Sequence, residues 1–158
     1  MDQIDRILSA PPFDLDGEGR GWVRTTLAGM DRAAKVRQLF VHICFGTGPD
    51  VVERITALAP AGITKFFGPD AQAELDTLDA LRGAAAIPYL VSADLEGSRM
   101  SLPFGTEVPN PLALAAVDDV EASETIARIM AEEARAAGIN WSFTPVIDIN
   151  ALFRSPIV

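Results

Sequence analysis

Histidine, cysteine and tyrosine each occur once in 158 residues, and lysine and arginine together number only 13. With one His and one Cys no zinc-binding set can be assembled and no disulfide can close within the chain. Against 22 acidic residues the basic ones leave a formal net charge of −9, and no basic run exists to displace the counterions of a nucleic acid. No apolar stretch approaches the roughly eighteen consecutive residues that cross a bilayer. Residues 1–16 are acidic and broken by Pro11 and Pro12, unlike a signal peptide. These shortages argue against a zinc enzyme, a nucleic-acid binder and a membrane protein. The expectation is a soluble, reduced, cytoplasmic chain that works without a cofactor.

What the chain does have is apolar residues, 49% of the total, with only 22% charged. A disordered segment has the opposite balance. A chain of this size buries roughly 70% of its unfolded surface, so a packed core is expected. Cys44 lies inside the apolar run LFVHICF and reads as a buried thiol.

The hydrophobic pattern alternates between two periods. Strand-like runs fall near residues 39–45, 63–67, 88–93 and 139–149, each bounded by Gly or Pro. Helical patterns fall at 19–27, 31–38, 50–58, 70–81 and 120–137. Asp31 and Asp70 stand where N-caps are wanted, and Gly138 where a left-handed residue closes a helix. In the fourth helical pattern Ala71, Leu75, Leu78 and Leu81 share one face. In the last, Ala122, Ile126, Ile129, Met130, Ala134 and Ala137 form an apolar stripe, and Glu124 stands four residues before Arg128 as an expected ion pair. Strands that are apolar on both faces and alternate with helices predict an α/β fold with a parallel sheet. The third strand-to-strand step is more than twice the first two, because residues 95–119 are inserted there. Loops this long are often functional. In parallel α/β folds the site lies at the C-terminal ends of the strands, where this loop begins.

The candidate chemistry is concentrated at two strand ends. Asp94 closes the third strand and is followed by Glu96 and Arg99. A carboxylate there can accept hydrogen bonds from substrate hydroxyls, with Arg99 holding it ionised or clamping the loop through Glu96; alternatively Asp94 caps loop amides. Asp148 and Asn150 close the fourth strand. Two acids on adjacent strand ends also suit an acid-and-nucleophile pair. His42 sits mid-strand and reads as a packing residue. Trp22, Trp141 and the phenylalanines read as core rather than as a sugar platform, and residues 17–21 as part of a flexible arm. No serine occupies a nucleophile elbow.

Several segments together resemble glycoside hydrolase family 3. The stretches Leu27-Ala28-Gly29-Met30 and Lys35-Val36-Arg37-Gln38-Leu39-Phe40 are similar to its entry helix and first strand, and Ala61-Gly62-Ile63 to Phe67-Gly68-Pro69 to its second strand. Residues 87–99, reading IPYLVSADLEGSR, resemble the family's IP-apolar-D-x-EGGR segment. Residues 137–150, reading AGINWSFTPVIDIN, resemble its AGIN-x-x-F-A-P-V-x-D-V-N strand. The resemblance runs over about residues 22–158.

It implies parallel (β/α) units forming about the first half of a TIM-type (β/α)8 barrel, with four strands in this chain. It implies a retaining double displacement on terminal β-linked sugars, in the β-N-acetylhexosaminidase-like branch. Asp94 is then the sugar-binding aspartate. Asp148 and Asn150, with Glu96 and Arg99, shape the floor of the site, which displaces the acid-and-nucleophile reading. Ser98 stands where the family has its second glycine, and Leu102 where that branch carries a substrate-binding arginine. The nucleophile and general acid of the family correspond to positions after Val158. The expectation is therefore an N-terminal arm, 1–18, and a partial glycosidase barrel, 19–158, inactive alone, with a carbohydrate partner. Two alternatives stand beside it. One is a non-catalytic sugar-binding half-barrel whose open sheet edges pair two copies. The other is a self-contained doubly wound domain with a small ligand at a reversal of strand order.

Overall fold

The computed structural model describes residues 2–147, 149, 151 and 154, and its contacts divide the chain into two compact units, Met1–Leu39 and Phe40–Val158. Asp148 and Asn150 lie outside the described residues.

The first unit holds three helices, α1 (Gln3–Leu8), α2 (Gly17–Gly29) and α3 (Arg32–Arg37). Each begins at an aspartate whose carboxylate accepts from the amide three residues on: Asp2 from Asp5, Asp16 from Gly19 and Asp31 from Ala34, at 2.7–2.9 Å. The Asp16 cap turns residues 17–21, expected as flexible, into the first turn of α2. Arg24 bridges Asp2 and Asp5, tying α2 back to α1. No residue of these helices is buried. Trp22, expected in a core, is accordingly 53% exposed.

The second unit carries β1 (Val41–Phe45), α4 (Pro49–Leu58), β2 (Gly62–Phe66), α5 (Ala71–Ala84), β3 (Leu90–Ala93), α6 (Pro111–Val117), α7 (Val120–Ala136) and β4 (Trp141–Ser142). All strand pairs are parallel and the order is β1-β2-β3-β4. Each connection crosses to the next strand, as in (β/α) barrel units. The order never reverses, so these strands offer no switch point for the doubly wound alternative.

One face of the sheet is packed against helices. Cys44 and Ile63 join Val51 and Ile55 of α4, Leu78 and Leu81 of α5, and Tyr89 in one buried cluster. Ala93, Leu95, Leu102, Ala134, Ala137 and Ile139 form the second, around α7. The opposite face presents Val41, Ile43, Phe45, Phe66, Leu90 and Trp141, all exposed. Within the second unit no described helix packs over that face.

Other departures are local. Strand 4 was expected over 139–149 but pairs only at Trp141–Ser142. Its partner β3 ends at Ala93, and before the paired residues Asn140 bonds with both backbone and side chain, its amide donating to Val91 O at 3.1 Å and its side chain accepting from Val91 N at 2.8 Å and donating to Tyr89 O at 3.1 Å. On α5 the buried face is Glu74, Thr77, Leu78 and Leu81, with Leu75 only half-buried. On α7 Arg128 pairs with Glu132 at 3.4 Å, not with Glu124. No helix among the described residues is long and apolar enough to cross a membrane.

Candidate functional site

Parallel pairing puts the C-terminal ends of all four strands on one edge, and the segment between β3 and α6 leaves from that edge. Its path is set by close backbone contact. Gly97 has φ +88°, and a Cβ there would lie 2.3 Å from the carbonyl oxygen of Pro109. Only glycine permits that approach. Ser98, the next residue, also has positive φ (49°), and its amide donates to Val108 O at 2.6 Å. Farther along, the Thr106 amide and hydroxyl both donate to the Glu133 carboxylate of α7, at 2.9 and 2.5 Å. These bonds, the hydroxyl's first, hold the Glu133 carboxyl below its usual range against a small opposing effect of burial. The Thr144 hydroxyl, just past β4, donates to Leu95 O at 2.7 Å. The loop is thus held at both neighbouring elements.

Asp94 follows the last residue of β3 and is half-buried. It lines a cavity of 110 Å³ together with Lys65, Phe66, Phe67, Arg99, Met100 and Leu102. Arg99 is exposed and shares this cavity, but no ion pair within 4.0 Å among the described residues joins it to Asp94 or to Glu96. The expected clamp is therefore not formed among the described residues, although Arg99 and Asp94 line the same cavity. Glu96 is half-buried and does not line the cavity. Leu102 packs in the α7 cluster with its edge on the cavity wall.

Sequence reasoning passed over the support beneath this edge. Lys65 and Glu74 form an ion pair of 2.6 Å with side chains 0% and 2% exposed. Lys65 Nζ also donates to Gly46 O at 3.1 Å and Phe66 O at 3.0 Å, while Glu74 Oε1 accepts from Gly68 N at 2.6 Å. Thr77, on the same face of α5, accepts from Gly48 N at 2.9 Å. One helix face thereby fixes the turns after both β1 and β2. The available signal was a lysine inside the strand-like GITKFF, with a glutamate at the first turn of the following helix. Near them Cys44 is fully buried as expected, and burial pushes its thiol up, opposed by the charges of Lys65 and Arg54. His42 is half-buried on the helix-covered side of the sheet.

The aromatic expectation is corrected here. Phe45, Phe66, Trp141 and Phe143 are 39–59% exposed rather than core. Phe67 alone of the strand-end aromatics turns inward, edge-on to Phe104 at 5.9 Å. A larger open groove, 800 Å³, runs between α4 and α5 on the other side of the sheet, but it holds mostly small and apolar residues. The chemistry points to the smaller cavity. Among the described residues no group of three or more His, Cys, Asp or Glu could hold a metal ion.

Comparison with known proteins gives a consistent set. The model of the family described as Glycosyl hydrolase family 3 N terminal domain matches residues 51–158. A β-N-acetylglucosaminidase/β-glucosidase of Cellulomonas fimi is 39% identical over 151 residues, which is 95% of this chain and 27% of that protein. A β-hexosaminidase of Xanthomonas oryzae pv. oryzae is 36% identical over 103 residues, 58% of this chain and 30% of that protein. Among solved structures, β-glucoside phosphorylase BglX bound to 2FGlc superposes with a TM-score of 0.82 at 29% identity, over 94% of this chain and 27% of that one. The chain spans less than a third of the length of these relatives.

Proposed function

The chain belongs to glycosyl hydrolase family 3, by that family's N-terminal domain, and from that premise we propose that it forms the sugar-gripping portion of a retaining β-glycosidase acting on terminal β-linked sugars. The observation that carries the proposal is Asp94, without an ion pair among the described residues, lining a cavity at the C-terminal edge of a sequentially ordered parallel sheet. Asp94 accepts hydrogen bonds from the hydroxyls of the terminal ring; Arg99, and by family resemblance Glu96, Asp148 and Asn150, shape its surroundings. The attacking carboxylate and the general acid are supplied from outside these 158 residues. A β-N-acetylhexosaminidase-like preference is supported by the names of the Cellulomonas and Xanthomonas relatives.

The match to β-glucoside phosphorylase BglX supports a second reading of the last step. There inorganic phosphate replaces water as the acceptor of the glycosyl group, giving a sugar 1-phosphate instead of the free sugar.

The test is kinetic, on the natural polypeptide that carries this sequence. With p-nitrophenyl N-acetyl-β-glucosaminide and p-nitrophenyl β-glucoside, Asp94→Ala is expected to lower kcat/KM about a hundredfold. That loss is the equivalent of about 3 kcal/mol for hydrogen bonds to a charged group. Product analysis with and without phosphate separates the two acceptors. The 158-residue chain alone is expected to give no turnover above blank. Full activity in Asp94→Ala, or robust turnover by the 158 residues alone, overturns the proposal.

A further inference from the structure

The residues that end β1 and β2 are both phenylalanines, Phe45 and Phe66, directly opposed in the parallel register. Their rings stack with centroids 4.7 Å apart and planes 25° from parallel. Both stay substantially exposed, on the face of the sheet away from the helices. Phe66 lines the same cavity as Asp94.

Strand alternation splits the Phe66-Phe67 pair. Phe67 packs against Phe104, with Lys65 Nζ 5.2 Å from its ring centroid. Phe66 is left on the open side. Its own backbone is held in place, because its carbonyl accepts from the buried Lys65 ammonium. An aromatic ring stacked on Phe45, on a held backbone, therefore lies beside Asp94, which makes no ion pair among the described residues.

That combination matches one class of ligand. A β-linked pyranose of gluco configuration carries hydroxyls around its rim and axial C–H groups on its faces. The hydroxyls donate to a carboxylate, and the weakly positive C–H groups suit the negative face of an aromatic ring. Burying them also removes apolar surface from water on both partners.

We propose that Phe66, backed by Phe45, is the apolar wall of the saccharide subsite, packing on the C–H face of the terminal ring while Asp94 grips its hydroxyls. This inference rests on the reading of Asp94 as a sugar ligand, and the experiment separates the two. In the natural polypeptide, Phe66→Leu, Phe66→Tyr and Asp94→Asn are assayed on p-nitrophenyl β-glucoside and p-nitrophenyl N-acetyl-β-glucosaminide, with Tm measured for each. Phe66→Leu is expected to raise KM about ten-fold with kcat within about two-fold, and Phe66→Tyr to keep KM within about two-fold. In saturation-transfer NMR with methyl β-glucoside, irradiating the aromatic protons is expected to mark axial H1, H3 and H5, and Phe66→Leu to abolish it.

If Asp94→Asn loses affinity while Phe66→Leu keeps both KM and the NMR transfer, the wall is refuted and the Asp94 reading survives. If neither variant changes KM, both fall. If Phe66→Leu and Phe66→Tyr lower Tm while KM stays constant, Phe66 only packs, and the inference is overturned.

Discussion

Lys65 has no exposed side-chain surface; it pairs with Glu74 at 2.6 Å and donates to the carbonyls of Gly46 and Phe66. A buried pair of this kind owes much of its effect to what happens when one partner is lost. Lys65→Met leaves the Glu74 carboxylate buried without its cation and is expected to cost about 3–5 kcal/mol in urea unfolding. Adding Glu74→Gln is expected to recover part of that loss, because the amide carries no charge and its oxygen still serves the Gly68 amide. A loss under about 1 kcal/mol in the single variant would count against the clamp. Cys44 was legible as buried from the apolar run around it. Lys65 was not, because a lysine in a short strand reads as a solvated edge until its partner on α5 is known.

The long segment between β3 and α7 is the element on which the site depends. Gly97 gives it a turn that no other residue accommodates, and Glu133 holds its middle through Thr106. The folded-state pKa of Glu133 lies below its ordinary value, so this anchor's contribution is present above the unfolded-state pKa and is lost as pH falls through the folded-state one. Glu133→Gln is expected to lower stability at about pH 7 and to bring the variant closer to the wild type at about pH 3, read by urea unfolding at both. An equal difference at both values would contradict the assignment. From sequence, the length of the segment and its origin at a strand end were readable, and the helix α6 within it was not. Its anchors were not, since Thr106 and Glu133 are joined by tertiary contact alone. Asn140 was legible only as part of a family-like segment. Its work, completing the ladder to β3 with a side chain, appears when the two strands are side by side.

At the scale of the whole molecule, four parallel strands in sequence order leave an apolar face on which Val41, Ile43, Phe45, Leu90 and Trp141 are exposed. Exposed apolar patches and open parallel edges both favour association. The isolated 158-residue chain is expected to scatter light as particles heavier than 16.9 kDa, and Ile43→Lys, at the middle of the outer strand β1 on that face, to shift it toward the monomer. A wild-type chain that stays monomeric at high concentration would refute this.

The order of the four strands and of five of the helices, the parallel class and the strand-end position of Asp94 were determined by the sequence itself, because hydrophobic period, caps and turn residues act over a few neighbouring positions; the short helices α1 and α6, expected as arm and loop, were not. Which face of the sheet is covered, which of Phe66 and Phe67 is buried, and whether Arg99 is tied to Asp94 were decided only by tertiary structure. Each of these depends on how side chains meet once strands, helices and loop are packed together, and no local pattern encodes that.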